Sequence, residues 1–237
     1  MARLFALADL HLSGTGEKPM DRFGALWVDH ARRMAENWDR VVEPDDWILL
    51  PGDLSWARHL RDAACDLAWI DERPGLKLLL RGNHDSWWSG PGKVRAALPA
   101  SCSILHNEAF ALGRWVVIGS RGWLDPDDPL AGDNDRRVFE RELQRLDLSI
   151  RDAARFDPQA PRIAMLHYPP WLVGREPTAV VERLTEANVS LCVYGHLHGD
   201  DHALAVEGEH RGIRFHFVAA DAADFTPVLL LEELEGA

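Results

Sequence analysis

The chain has 237 residues, of which 46% are hydrophobic and 27% are charged, a balance typical of a soluble globular protein large enough to bury most of its core. Its 26 basic and 38 acidic side chains give a formal net charge of -12, which disfavours long nucleic acid as a partner because nucleic-acid binders usually carry a basic stripe. No apolar run approaches the roughly 18 residues that span a bilayer, so the sequence also excludes a membrane protein.

The cysteines and the N-terminus indicate the compartment. The cysteines are odd in number and lack CxxC spacing, which argues against a disulfide framework and a structural zinc site; they are Cys65, Cys102 and Cys192. The apolar run 4–8 ends at Asp9, too early for the hydrophobic region of a secretory signal. We therefore interpret that run as a first strand and expect a cytoplasmic protein.

Short strands alternate with helical patterns through the first half of the chain. Apolar residues at steps of three and four predict helices over 22–42 and about 57–70. His30 lies on the apolar face of the first helix and is interpreted as a histidine at the edge of the core. A turn-rich loop over 86–92 precedes a predicted hairpin from 103 to 120 that reverses near Gly113. The acidic segment 124–134 is a predicted surface loop.

The second half continues the alternation and then loses its helices. We predict a helix over about 135–154, a strand over 162–166, a helix over 178–187 and a strand over 190–194, followed by two strands near 213–218 and 228–231. The β-α-β-α-β opening argues for parallel strands, and the closing strands argue for a mixed or second sheet. Without a repeat or linker, we expect a single domain over residues 1–237.

Side chains that bind metals follow five of the predicted strands. The motifs are Asp9-x-His11, Gly52-Asp53, Gly82-Asn83-His84-Asp85, His167 and Gly195-His196-x-His198. Each motif alone is weak, because short patterns of this kind occur by chance in many sequences. For the Asp and Asn residues, capping or turn formation after a strand is the alternative interpretation.

In this order the motifs resemble those of the calcineurin-like metallophosphoesterase superfamily, over a stretch from Asp9 to His198. The segments Trp87-Trp88, Arg121-Gly122-Trp123 and Tyr168-Pro169-Pro170-Trp171 are similar to an uncharacterised bacterial phosphohydrolase branch. The resemblance implies an α/β fold, a four-layer α/β/β/α sandwich with two mixed β-sheets and a dinuclear metal site at strand ends. We expect alternation along extended segments to turn Asp9 and His11, and likewise His196 and His198, toward one side.

The resemblance also implies the ligand set and the cofactors. Asp53 would bridge two divalent cations, Mn, Fe or Zn, which accept oxygen and nitrogen ligands of this kind. One cation would take Asp9, His11 and His198, and the other Asn83, His167 and His196. His84 would approach the phosphate and stabilise or protonate the leaving oxygen, while a metal-bridging hydroxide attacks phosphorus.

The expected reaction is hydrolysis of a phosphomonoester or phosphodiester of a small molecule. A catalytically silent metal-binding scaffold and a nuclease are the alternatives. The sequence departs from two branches of the superfamily. Protein serine/threonine phosphatases carry an Asp-Arg pair where Leu54 to Ala57 follow Asp53, and lipid A precursor diphosphatases carry arginine where His84 stands. Both branches are therefore disfavoured.

Substrate contacts are predicted from residue type. Arg121 is the candidate phosphate clamp, because guanidinium offers paired donors. Four tryptophans near the strand ends could form an aromatic rim over the site, with loop packing as the alternative for each; they are Trp87, Trp88, Trp123 and Trp171. Asp85 receives no role from the sequence, and His202 and His216 stay open as residues near the site.

Overall fold

A computed structural model describes residues 1–16, 18–129 and 131–234. The strands are β1 (Leu4–Ala6), β2 (Trp47–Leu50), β3 (Leu76–Leu79), β4 (Cys102–Ile104), β5 (Phe110–Leu112), β6 (Trp115–Ser120), β7 (Arg162–Leu166), β8 (Val189–Tyr194), β9 (Gly208–His210), β10 (Ile213–Phe217) and β11 (Val228–Leu231). The α-helices are α1 (His30–Val41), α2 (Ala64–Glu72), α3 (Pro91–Ala97), α4 (Asp133–Asp152) and α5 (Ala179–Glu186). No described helix combines the length and apolar character needed to cross a membrane.

Two mixed sheets form the centre of the fold, as predicted. The first sheet has the order β11-β1-β2-β3-β4 and the second β5-β6-β7-β8-β10-β9. Strands β1 to β4 are parallel, with β11 antiparallel at one edge. In the second sheet β6, β7, β8 and β10 are parallel, and β5 and β9 are antiparallel edge strands. The late strands therefore divide between the two sheets.

The sandwich follows from strands that are apolar on both faces. In β1, Leu4 and Ala6 point into the cluster between the sheets, whereas Phe5 packs on the helical side. Helices α1, α2 and α3 cover the outer face of the first sheet, and α4 and α5 cover that of the second. The resulting layers run helix, sheet, sheet, helix, which confirms the predicted α/β/β/α architecture.

Helix starts differ from the sequence prediction. Residues 20–27 form two short 3-10 helices, because Gly24 between them adopts a φ of 124° that an α-helix cannot contain. Helix α1 begins only at His30, after Asp29 in a left-handed conformation. Phe23 is consequently 58% exposed instead of packing in the core. The second helix likewise begins at Ala64, and α3 was not predicted.

The predicted hairpin is only partly right. Strands β5 and β6 pair antiparallel around Gly113, whose φ is 57°. Strand β4, assigned to the same hairpin from the sequence, instead pairs in parallel with β3 in the other sheet. The chain therefore crosses from the first sheet to the second between Ile104 and Phe110.

A backbone contact joins the two sheets at one edge. The amide of Ala8, just after β1, donates to the carbonyl of Val218 at 2.8 Å, and the amide of Ala220 donates to the carbonyl of Ala8 at 2.9 Å. The end of β1 is thereby fixed against the chain that follows β10. The carboxyl ends of the parallel strands lie on this side of both sheets, so the loops that follow those strands are brought together.

Asp46 fastens the beginning of β1. Its carboxylate accepts the Arg3 amide at 2.7 Å and the Arg3 guanidinium, and also the Glu43 amide at 2.9 Å. Burial raises the pKa of Asp46, but the hydrogen bonds from Arg3 and Glu43 outweigh it and hold the pKa below the usual value. The ionised carboxylate is therefore the form that stabilises this corner of the fold.

We predict that Asp46→Ala lowers the free energy of unfolding at neutral pH by about 1.5–3 kcal/mol, because hydrogen bonds to a charged group are lost. Since the pKa is depressed in the folded protein, the difference from the wild type should shrink as pH falls below about 4. Urea unfolding at several pH values measures it. Asp45→Ala, at the exposed neighbour, is the control, and an equal loss in both variants would contradict the prediction.

Candidate metal centre

The loops after β1, β2, β3, β7 and β8 meet where the two sheets join. Backbone hydrogen bonds connect them: the Asp9 amide donates to Gly52 at 3.0 Å and the His11 amide to Asp53 at 2.9 Å. The Gly195 amide donates to His167 at 3.1 Å. Because these loops are tied to each other, the Asp, Asn and His side chains of the five sequence motifs are brought to one region of the fold.

The converging side chains form two groups. In the first group Nε2 of His198 lies 3.1 Å from Nε2 of His11. The same His198 nitrogen lies 3.8 Å from Oδ1 of Asp9. The second group surrounds the Oδ1 atom of Asn83. That oxygen lies 2.6 Å from Nε2 of His167 and 3.1 Å from Nδ1 of His196.

Asp53 lies between the two groups. Its Oδ2 atom is 3.9 Å from Nε2 of His11 and 3.5 Å from Nε2 of His167. Its Oδ1 atom accepts the backbone amide of His84 at 2.8 Å, which fixes the orientation of the carboxylate. The side chain is only 1% exposed. One oxygen of Asp53 therefore faces both groups.

The chemistry of these groups suits divalent cations. Burial lowers the pKa of His167 to about 3 and that of His196 to about 2, so both rings are neutral and can offer a nitrogen lone pair. Oδ1 of Asp9 is buried and has no hydrogen-bond partner in the described part of the chain. Unpaired carboxylate oxygens and neutral imidazoles are a donor set that Mn, Fe and Zn accept, so the residues fit bound metal.

At four of the site residues the backbone is left-handed, whereas His198 is extended with a φ of -133°. The φ angles are 61° at Asp9, 46° at His11, 53° at Asp53 and 77° at His196. The expected alternation along extended segments is therefore wrong as the reason for convergence, although the side chains do converge. Asp and His tolerate this conformation better than most residues, and each such residue costs about 1–2 kcal/mol.

Two glycines allow the carboxylates to approach the backbone closely. A Cβ atom on Gly82 would collide with Oδ1 and the amide of Asp53, and one on Gly195 would collide with Oδ2 of Asp9. Neither glycine has a positive φ angle. Glycine is therefore required at these two positions because no side chain fits there, and not because of the backbone conformation. The two glycines set how closely the loops after β3 and β8 press against the loops that carry Asp53 and Asp9.

Asp85, which received no role from the sequence, joins two of the site loops. It is 0% exposed and accepts hydrogen bonds from the amides of Leu54 at 2.9 Å, Ser55 at 3.1 Å and Gly82 at 2.8 Å, and from Nε1 of Trp87 at 2.9 Å. Burial raises the pKa of Asp85, yet all four partners are donors. The carboxylate therefore acts as an ionised acceptor that holds the loops after β2 and β3 together.

Asp221 is a residue of the site that sequence analysis missed. It follows β10, and its Oδ1 atom lies 3.0 Å from Nδ1 of His198 while Oδ2 lies 3.0 Å from Nε2 of His202. Burial lowers the pKa of His198, but its hydrogen bond to Asp221 and nearby carboxylates raise it to about 8 overall. An acidic residue after an apolar strand was the same signal that selected Asp53, and it could have found Asp221.

His84 and Trp56 line the open side of the site. The His84 side chain is 44% exposed and its Nε2 lies 4.0 Å from Oδ2 of Asp53. Trp56, which sequence analysis did not select, has its ring centroid 4.3 Å from that of His84 and 4.9 Å from that of His11. The ammonium group of Lys18 lies 3.5 Å from the Trp56 ring centroid. This side therefore combines an exposed imidazole with a nearby cation.

The tryptophans expected to form a rim separate into two kinds. Trp87 and Trp88 are 1% and 4% exposed and belong to the core beneath the first sheet. This burial favours packing of the loop, the alternative that the sequence left open, and substrate contact by Trp87 and Trp88 stays a prediction. Trp123 and Trp171 instead line a cleft beside His196.

Arg121 is engaged inside the protein. Its guanidinium lies 3.0 Å from Oε1 of Glu142 and above the ring of Trp123, 4.4 Å from the centroid. Its side chain is 11% exposed. Contact with a phosphate would have to compete with this buried carboxylate, and the clamp stays a prediction.

We predict that Asp85→Asn destabilises the protein by about 1–3 kcal/mol, because an amide nitrogen would then face a buried donor. The loss should appear in thermal unfolding together with weaker metal binding, since the loops bearing Asp53 and Asn83 separate. Trp87→Phe removes only one of the four hydrogen bonds and should cost less. A wild-type melting temperature in Asp85→Asn would contradict the prediction.

We predict that Asp221→Ala lowers Mn²⁺ affinity about 10- to 100-fold, because partners that orient a ligating histidine contribute that much. Titration calorimetry on the metal-free protein measures the change. Asp200→Ala, at an exposed neighbouring position, should bind as the wild type does. Unchanged affinity in Asp221→Ala would show that His198 needs no such partner.

Sequence comparison finds a family model and matches over part of two phage proteins. The calcineurin-like phosphoesterase model matches residues 2–200. The Gene 66 protein of Mycobacterium phage L5 is 35% identical over 88 residues, and that of phage D29 is 38% identical over 87 residues. Each match covers 36% of this chain and 41% of the phage protein, so the chain spans about two-fifths of the length of these curated relatives.

Solved structures share the fold. The phosphopantetheinyl hydrolase of Mycobacterium tuberculosis superposes with a TM-score of 0.59 and 14% identity, over 100% of this chain and 98% of that one. A protein of unknown function from Aquifex aeolicus gives 0.52 and 16%, over 97% and 96%. With a family model that spans most of its length and two sheets whose strand ends carry the family's motifs, the protein belongs to the calcineurin-like phosphoesterase family.

Proposed function

We propose that the protein is a phosphohydrolase that cleaves a phosphomonoester or phosphodiester of a small molecule at a dinuclear metal centre. The observation that carries the proposal is the position of Asp53, whose Oδ2 atom lies 3.9 Å from His11 on one side and 3.5 Å from His167 on the other. A carboxylate in that position can neutralise two cations and fix their separation. Family membership supports the same reaction class.

The ligand sets follow from the two groups of side chains. Asp9, His11 and His198 would hold one cation, and Asn83, His167 and His196 the other. Bound Mn, Fe or Zn ions would draw charge from the phosphoryl oxygens and lower the pKa of a coordinated water to about 7. Asp53 would contribute to both sets, because its carboxylate faces both groups.

His84 would act on the substrate. Its imidazole is the exposed member of the site, and its backbone amide holds Asp53, so ring and carboxylate are fixed relative to each other. Burial lowers the pKa of His84, which leaves the free ring neutral. A phosphoryl oxygen beside the ring would favour its protonated form, and the imidazolium could then donate that proton to the leaving oxygen.

Two alternatives make different predictions. A metal-binding scaffold would load both cations and hydrolyse no ester. A nuclease would bind DNA with strong salt dependence, which a net charge of -12 disfavours. The proposal therefore specifies a small phosphorylated substrate.

We predict that Asp53→Asn abolishes hydrolysis of chromogenic monoesters and diesters, whichever of Mn, Zn or Fe is supplied, because an amide cannot neutralise two cations. His84→Ala should retain both metals and lower kcat about 10²- to 10⁴-fold, the usual contribution of a general acid. Steady-state kinetics combined with metal analysis of each variant measures both effects.

His59→Ala, at an exposed histidine outside the site, is the matched control and should behave as the wild type does. A fully active Asp53→Asn variant would overturn the dinuclear mechanism. Loss of both ions from His84→Ala would show that His84 is a ligand and not a proton donor. A wild-type protein with two bound metals and no turnover on any ester would favour the scaffold.

A further inference from the structure

A cleft of about 430 Å³ opens beside the second group of ligands. It is lined mainly by aromatic and aliphatic side chains, among them His196, Tyr168, Trp123, Trp171, Leu172 and Leu204. We propose that this cleft binds the organic group of the phosphoester, and that this group is an apolar ring that carries no second anionic charge. The inference rests on the proposed phosphohydrolase function and names the substrate class of the same site.

The floor of the cleft is continuous with the metal centre. The ring of Tyr168 stacks on that of His196, with centroids 3.8 Å apart and planes inclined by 29°. Trp123 follows at 4.9 Å from Tyr168. A phosphoryl group held near His196 would therefore direct its organic substituent onto these two rings, and aromatic faces of this kind favour stacking with another ring.

The walls are held in place before any ligand arrives. Nε1 of Trp123 donates to Oδ1 of Asp135 at 2.9 Å, and the Arg121 guanidinium covers the ring. Trp171 contacts Phe215 edge to face at a centroid distance of 4.9 Å. Tyr168 and Trp171 are only 8% and 7% exposed. A rigid apolar wall lowers the entropic cost of binding, and the volume lies in the range of small-molecule sites.

The charges around the cleft oppose a second anionic group. Its described lining includes the carboxylates of Asp125, Asp128 and Asp201 and one guanidinium, that of Arg175. Oδ2 of Asp128 lies 2.8 Å from the Arg175 guanidinium, so the cation is already matched by a carboxylate. A second phosphate or carboxylate on the substrate would meet net negative charge. The same lining accommodates an uncharged ring.

The first test compares alkyl phosphomonoesters of similar leaving-group chemistry on the metal-loaded protein. Phenethyl phosphate should give a kcat/KM about 10-fold or more above that of ethyl phosphate, as expected for filling an apolar pocket. Propanediol bisphosphate, which carries a second anion, should give no gain over ethyl phosphate. Equal values for phenethyl and ethyl phosphate, or a preference for the bisphosphate, would overturn the inference.

The second test uses a variant in which the cleft is narrowed. Leu204→Trp adds bulk at a position that is 37% exposed, and Leu76→Trp is the matched control because Leu76 is also 37% exposed but lies outside the cleft. Leu204→Trp should lower the ratio of kcat/KM for phenethyl phosphate to that for ethyl phosphate about 10-fold, and Leu76→Trp should leave the ratio unchanged. Equal effects on both esters, or an equal effect of Leu76→Trp, would count against the cleft.

A binding measurement separates this inference from the proposed function. Saturation-transfer NMR should detect phenethyl alcohol on the metal-free wild type and on Leu76→Trp, with the signal lost in Leu204→Trp. If the wild type hydrolyses no ester, the proposed function fails, and the NMR result alone decides whether the cleft binds an apolar ring. A signal that persists unchanged in Leu204→Trp would overturn the inference.

Discussion

The geometry of the centre depends on the hydrogen bonds that the buried carboxylate of Asp85 accepts. The carboxylate accepts the amides of Leu54 and Ser55 from one loop and that of Gly82 from the next. Asp53 and Asn83 belong to those same loops, so their separation is set by hydrogen bonds formed out of contact with water. Charge-assisted hydrogen bonds are stronger in that environment, and the anion is well suited to gather several backbone donors.

The junction of the two sheets determines the rest of the site. The first sheet supplies Asp9, His11, Asp53 and Asn83, and the second supplies the three remaining histidines. Neither sheet carries a complete set. The apolar cluster between them, with Leu49 on one side and Val193 on the other, fixes how far apart the two contributions lie. Packing of interior side chains therefore sets the distances between candidate ligands that are remote in sequence.

In the proposed function, the metal centre and the cleft recognise different parts of the substrate. In the proposed mechanism the two groups of side chains and His84 would act on a phosphoryl group, which many substrates share, and selectivity would then have to come from what surrounds them. Tyr168 stacks on His196, a proposed metal ligand, and with Trp123 it extends from there into the apolar cleft. Trp56 and Lys18 lie on another side, next to the exposed imidazole of His84. Residues from loops supply both surroundings, as is usual for functional surfaces built on a rigid scaffold.

The sequence by itself determined which residue types end each strand, because an apolar run followed by Gly, Asp, Asn or His is a local pattern. It thereby selected the side chains of both groups of candidate ligands, and the family resemblance supplied the two-sheet sandwich. Only the tertiary structure decided that β4 pairs with β3, that Trp87 is buried and that Asp221 reaches His198. The physical reason is that strand pairing, burial and contacts between distant residues depend on how separate segments pack, and no local pattern records that packing.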